Sequence, residues 1–448
     1  MICVLLFALG GATSVSQDKP VERGFEERLL ARVPDNLSLE GKPMTSPDGA
    51  TVVPANEPVT WSADGAQVGY VGLEGEVPHP VLGDHVFKAY DYASGPVFGR
   101  DGAHSAFRVG KRVGDDRERW WVLLDGKEVG AEDWIGDIAL APDGEHYAAW
   151  TQPGAKLASD GSYTHGKQVL VTPWKSGAKW DDADSLVAPR FALDGSFVAA
   201  LASKSGKWQL LLADKKGERA LGEAQPFITG YDVSEDGKSF ALSVLDDKSA
   251  AEDEDAPPPM EGMPGAKSVI VFGKQTFGAE RDDASSPRIS RDGKQVAWIL
   301  RKGAKHGVAF GDGKRAKAEH DWVRVLTFRP DGKELAFAVG TGGRENPALP
   351  DPQGGLQVDG AKWRIVRCDS SGAEKPGAEE FRRVANLTWS QDSKQLAFAG
   401  QTAEGWRIVC GDKRSEPFDE IGPPHFSADG AKVAFGARKG RELWWKVL

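Results

Sequence analysis

The chain has 448 residues, 40% hydrophobic and 27% charged, a balance that excludes a disordered or collagen-like protein. Its formal net charge is −10, and no run of Lys and Arg is interleaved with aromatics, which argues against a nucleic-acid binder needing a basic surface to neutralise phosphates. With 15 Trp and 54 Gly but only 4 Met, the composition favours strands and tight turns over helical bundles.

In chain order, residues 1–18 read as a signal peptide: an apolar run over 2–9 is followed by small residues. That run is too short to span a bilayer, so no transmembrane segment is expected. No Lys or Arg precedes it, and Cys3 lies too early for a lipoprotein cleavage site. The expected destination is the periplasm or the extracellular space. Residues 19–36 form an N-terminal extension. Within it Val21 to Val33 places Phe25, Leu29 and Leu30 among Glu and Arg at helical spacing, which predicts a short helix, covering the domain that follows or docking a partner. Residues 37–448 form that domain, and Leu37 to Pro43 reads as its first strand.

The domain is built on a repeat. Its nine copies are Trp61-Ser62-Ala63-Asp64-Gly65, Phe98 to Gly102, Leu140 to Gly144, Phe191 to Gly195, Val233 to Gly237, Ile289 to Gly293, Phe328 to Gly332, Trp389 to Ser393 and Phe426 to Gly430. Most spacings fall near 40 residues, about the length of a four-stranded blade. In each copy an apolar residue ends one strand and a four-residue turn of the general form Ser-x-Asp-Gly opens the next, with Asp at the third position in all nine. Pro142 and Pro330 at the second position suit a type I turn, Asp caps it, and Gly accepts the left-handed conformation. Ser393 replaces that Gly in the eighth copy, so its turn is expected to be strained or of another type. After the turn comes an apolar strand with a small Ala, as in Val296-Ala297-Trp298, Leu335-Ala336-Phe337, Leu396-Ala397-Phe398 and Val433-Ala434-Phe435. The Ala is expected where neighbouring blades pack closely. A third strand follows, centred on Trp at Trp120-Trp121, Trp208, Trp363 and Trp406. The last copy stops after a third strand at Trp444 to Leu448, and Leu37 to Pro43 would supply its missing outer strand and close a ring.

The Ser-x-Asp-Gly-Lys-x-(Leu/Val)-Ala-(Phe/Tyr) pattern resembles the repeats of TolB-like, WD-repeat-like bacterial β-propellers over residues 37–448. It differs from the sialidase Asp-box and lacks the Gly-His and Trp-Asp dipeptides of eukaryotic WD repeats. The resemblance implies an all-β fold: a single propeller of four-stranded blades, nine by the repeats or eight with one degenerate copy, closed by an N-terminal strand. It also implies binding or scaffolding in the bacterial cell envelope, and supplies no catalytic residue.

Three insertions interrupt the repeats: 153–167 with Tyr163 and His165, the acidic Pro-rich 246–266, and the Gly- and Pro-rich 340–360. They are candidates for a recognition surface. The acidic one lacks the ligand spacing of a calcium loop. Cys368 and Cys410 read as ordinary strand cysteines of adjacent repeats rather than a disulfide. His79 and His85, the closest histidine pair, read as surface or rim polarity. There is no Gly-x-Ser-x-Gly, no His-Glu-x-x-His, and no Lys-Ser/Thr after the Gly340 to Gly343 cluster. No catalytic, cofactor-binding or metal-binding residue is therefore singled out, and no cofactor is expected. The function expected is a monomeric, non-enzymatic interaction propeller for a protein, ligand or envelope polymer. The alternative is a propeller hydrolase or lyase acting on a saccharide or peptide, with acids from several blades converging.

Overall fold

A computed structural model of the chain describes residues 25–40, 44–45, 51–52, 58–114, 117–156, 167–174, 183, 185–245, 268–278, 283–311, 316–350 and 356–448. The expected signal segment 1–18 and the insertion 246–266 lie outside the described residues, as do Tyr163 and His165.

The turn chemistry repeats nine times. In every copy the Asp carboxylate accepts the backbone N–H two residues on at 2.9–3.1 Å. In the five copies with Ser, at 62, 234, 290, 390 and 427, the hydroxyl donates to that Asp at 2.6–2.7 Å. The same hydroxyl accepts the N–H five residues on at 2.9 Å. The closing Gly sits at φ between +65° and +72° in eight copies. Ser393 takes the same turn at φ +62°, so its turn is strained and not of another type.

Each turn joins the inner strand of a blade to its second strand, and nine blades form the ring. The inner strands are, in order, Thr60–Trp61, Tyr92–Phe98, Ile135–Leu140, Ser185–Phe191, Ile228–Val233, Asp283–Ile289, Trp322–Phe328, Arg383–Trp389, and the pair Glu420–Ile421 and His425–Phe426. All pairings within blades are antiparallel. Among the described residues, blades 3 and 6 have three strands, with single bridges Gln168–Ala183 and His306–His320 at the outer position. No helix occurs among the described residues.

The small residue of the second strand falls seven positions after the turn's first residue in every blade. It is Ala at 106, 148, 199, 241, 297, 336, 397 and 434, each buried, and Gly69 in blade 1. A Cβ on Gly69 would lie 2.6 Å from Pro96 of the next blade. The blades therefore approach too closely for a larger side chain, and the core is a belt of clusters between them; one joins Ala106, Ile135, Ala148 and Ala200 across blades 2 to 4.

Closure corrects two expectations. The strand that completes blade 9 is Arg28–Arg32, paired antiparallel with Glu442–Val447, and not Leu37 to Pro43. The helix expected within 19–36 is therefore a strand at 28–32; residues 19–24 lie outside the described residues. Helical spacing misled because it rested on three apolar residues: Leu29 is 45% exposed, whereas Ala31 and Val33 are buried on alternate positions as a strand requires. Leu37 and Ser38 instead cross to blade 1. Ser38 exchanges two backbone bonds with Leu73, and Leu37 packs over Gly72. Arg441 reinforces the junction by donating to Val33 O and Leu37 O at 3.0 Å.

Candidate functional site in the channel wall

Seven inner strands, those of blades 2 to 8, carry a register shift midway along their length. Ser286, Val325 and Asn386 adopt φ of +52° to +55° at three of these bulges. A bulge re-aims side chains and leaves the ladder locally unpaired. Here it sits where nine strands converge on the channel.

Charges alternate around this wall. Asp137, Arg190, Asp232 and Arg288 stand on the inner strands of blades 3 to 6 in turn. Two carboxylates of the wall are tied to the ring. Asp232 accepts Ile289 N of the next blade at 2.8 Å through one oxygen and Val233 N at 3.1 Å through the other. Glu420 accepts Val59 N of blade 1 at 2.8 Å and the Arg438 Nε–H at 3.0 Å. Burial raises both acids above the usual carboxylate range; Arg288 and Arg438 respectively oppose it. The Arg190 guanidinium stacks 5.0 Å from the Tyr231 ring.

Asp137 is placed differently. It opens, with Arg108, on a cavity of about 220 Å³ lined also by Pro58, Thr60, Ser94, Pro96, Val97 and Ile138, from the walls of blades 1 to 3. The bulges at Ser94/Val97 and Ile135/Ile138 shape its floor. Arg108 Nε donates to Ser94 Oγ at 3.1 Å, and its guanidinium lies 5.4 Å from the Trp120 ring and 5.8 Å from that of Trp134. Burial raises the Asp137 carboxyl, partly offset by Arg108 and the Trp150 indole.

A second cavity of similar size spans blades 5 to 7, lined by residues including Phe272, Phe310, Phe328, Lys333, Glu334 and Cys368. Its acid and its thiol are both engaged or suppressed. Glu334 is bound by Arg329 and Arg367 at 2.7 Å, and burial pushes the Cys368 thiol up to about 12. Cys368 and Cys410 are both free and buried.

His79 and His85 do not form a site. His79 Nδ1 bonds Phe87 O at 3.0 Å, and His85 packs edge-on against Phe87. No group of three or more metal-ligating side chains occurs among the described residues. The expected loop at 340–360 is, over its described part, an extra hairpin in which Arg344–Pro350 pairs with Leu356–Asp359 between the second and third strands of blade 7. Gly342 and Gly343 open it at φ +68° and +77°. Sequence reading passed over Asp137, Arg190, Asp232 and Arg288. Aligning the copies on their turns would have exposed three of them: Arg190, Asp232 and Arg288 all stand two residues before the turn's first residue. Asp137 stands four residues before its turn's first residue, within the bulge, where the other copies carry no charge.

No helix among the described residues is long and apolar enough to cross a membrane. Neither a protein-family model nor a curated protein matches the sequence. Solved structures do resemble the fold. The Dos1 propeller shares 9% identity over 94% of this chain and 95% of its own, with a TM-score of 0.42. A eukaryotic initiation factor shares 11% over 86% and 89%, TM-score 0.42. The β-propeller domain of the Trilobed protease from Pyrococcus furiosus shares 13% over 59% and 83%, TM-score 0.35. Nothing beyond the fold is read from these likenesses; the strand pairings themselves make this chain a nine-bladed β-propeller.

Proposed function

We propose that this protein is a non-enzymatic binding propeller of the cell envelope, which holds a polar ligand or partner segment in the channel-wall cavity of blades 1 to 3. One observation carries the reading. The other wall carboxylates described above serve the ring, whereas Asp137 and Arg108 open together on a cavity. Glycoside cleavage calls for two carboxylates across the scissile bond. The lining of this cavity includes one acid, Asp137, beside a guanidinium, which suits recognition better than bond breaking. Export is supported by the apolar segment at 2–9 followed by small residues. The paired strands Arg344–Pro350 and Leu356–Asp359 offer a second surface for a larger partner. The test is affinity capture from envelope extract, with the chain and its Asp137→Asn variant as baits. A partner retained by the first and lost by the second supports the reading. A partner retained equally by both, or turnover of a substrate abolished by Asp137→Asn, overturns it.

A further inference from the structure

We infer that the cavity of blades 1 to 3 is selective for a small zwitterion, an α-amino acid with an aliphatic side chain, its carboxylate on Arg108 and its ammonium on Asp137. The inference rests on that cavity being the ligand site.

The argument is one of charge. A ligand bearing only a carboxylate would gain Arg108 but face Asp137 in the same cavity; one bearing only an ammonium would gain Asp137 but face Arg108. A molecule carrying both charges satisfies both groups, and an α-amino acid presents them one atom apart. Both groups are held in place before any ligand arrives. Arg108 is fixed by Ser94 and by the faces of Trp120 and Trp134, which spares the ordering cost of a long side chain. Asp137 is fixed on an inner strand between Ile135 and Ile138 at a bulge. Its carboxyl is raised by burial despite Arg108, so the charged form is under-compensated and gains from an added cation.

Size and lining narrow the class. About 220 Å³ is room for roughly seven waters at about 30 Å³ each, enough for a free amino acid. The remaining wall is aliphatic, from Pro58, Pro96, Val97 and Ile138, and contains no aromatic ring on which a sugar would stack. Thr60 and Ser94 also line it, the Ser94 hydroxyl accepting from Arg108 and the Thr60 hydroxyl donating to Pro58 O at 3.4 Å.

Calorimetry with the full chain tests this, using L-valine, isovalerate, which lacks only the amino group, and isobutylamine, which lacks only the carboxyl. Valine is expected to bind at least about tenfold more tightly than either fragment, since each 1.4 kcal/mol of lost charge pairing is a factor of ten. In Asp137→Asn, a near-isosteric change, valine is expected to weaken about tenfold while isovalerate tightens. A melting curve checks that the variant is folded. Isovalerate or isobutylamine binding as well as valine would overturn the zwitterion but leave the cavity as the site. No heat with any of the three overturns the inference, and joined to capture that ignores Asp137→Asn it removes the cavity from the function altogether.

Discussion

Gly436→Ala probes the packing at the seam where the first and last blades meet. Gly436 lies on the second strand of blade 9, and the indole of Trp61, from the inner strand of blade 1, covers it. A Cβ on Gly436 would stand 2.0 Å from Trp61 Cδ2 and 2.1 Å from Cγ, where carbon atoms prefer about 3.5–4.0 Å. A Cβ on Gly422 would stand 3.1 Å from Trp61 Cε3, so the indole lies over that glycine as well. Trp61 is only 8% exposed, so it has no solvent side to swing into. Relief must come from separating blades 1 and 9 or from forcing the indole off its rotamer, a cost of about 1–3 kcal/mol, at the upper end for a rigid ring. The sign is diagnostic. Gly436 does not use the left-handed region, so Ala without the clash would be neutral or slightly stabilising in a strand. The assay is urea unfolding followed by Trp fluorescence, for Gly436→Ala, Trp61→Leu and the double variant. Trp61→Leu alone should cost several kcal/mol as a large-to-small change. The double variant should cost less than the sum, because the smaller side chain makes room for the added methyl. Additive costs, or a Gly436→Ala midpoint equal to that of the parent, would refute the seam geometry.

Ser393→Gly should stabilise the eighth blade by about 1 kcal/mol, because the residue stands at φ +62°; an unchanged midpoint would show that the turn there differs. Asp232→Ala should cost about 1–3 kcal/mol, since Ile289 N would lose its acceptor between blades 5 and 6, while Asp232→Asn should cost less because the amide oxygen can still accept. Chemical denaturation of the pair checks that order. His425 packs beside Trp445, and burial pushes it down to about 4, with Asp64 opposing. Its folded value lies below that of the unfolded chain, so the unfolded state binds the extra proton. Its contribution is fully present above about pH 6.5 and is lost as pH falls toward 4, by at most about 3 kcal/mol. Melting temperatures at pH 7 and pH 4.5 should converge in His425→Gln relative to the parent. Asp236 acts in a lower window: Ser234 and Lys238 hold it down to about 2, so its share disappears only as pH falls from near 4 to that value.

The ring was legible in the sequence because its information is local. The turn closes its own hydrogen bonds within six residues, through Asp in nine copies and through Ser as well in five, and that chemistry at blade spacing leaves little choice of architecture. The recurrent Ala was legible too, since a small residue in an apolar strand marks a close approach. Closure was legible only in kind. That an N-terminal strand is needed follows from the final blade ending at its third strand, but the choice of Arg28–Arg32 depends on Glu442–Val447 and on Arg441, more than 400 residues away in the chain. The candidate site was not legible. Asp137 and Arg108 belong to different blades and come together only through two bulges, and a bulge leaves no sequence mark as strong as a Gly in a turn. Asp232 and Glu420 are acids of the same wall, and the ring uses both as acceptors.

The most direct test of the closed ring is a disulfide trap at the closing strand. Arg32 and Glu442 are register partners on the strands Arg28–Arg32 and Glu442–Val447, both reachable from solvent and joined by an ion pair at 2.5 Å. Arg32→Cys with Glu442→Cys should oxidise to a single cross-linked peptide, identified by mass spectrometry of the unreduced digest, with Cys368 and Cys410 remaining free. Failure of that bond in folded protein, with a link forming instead when Leu39→Cys is paired with Glu442→Cys, would contradict the closure and with it the seam that joins blade 9 to the cavity-bearing blades 1 to 3.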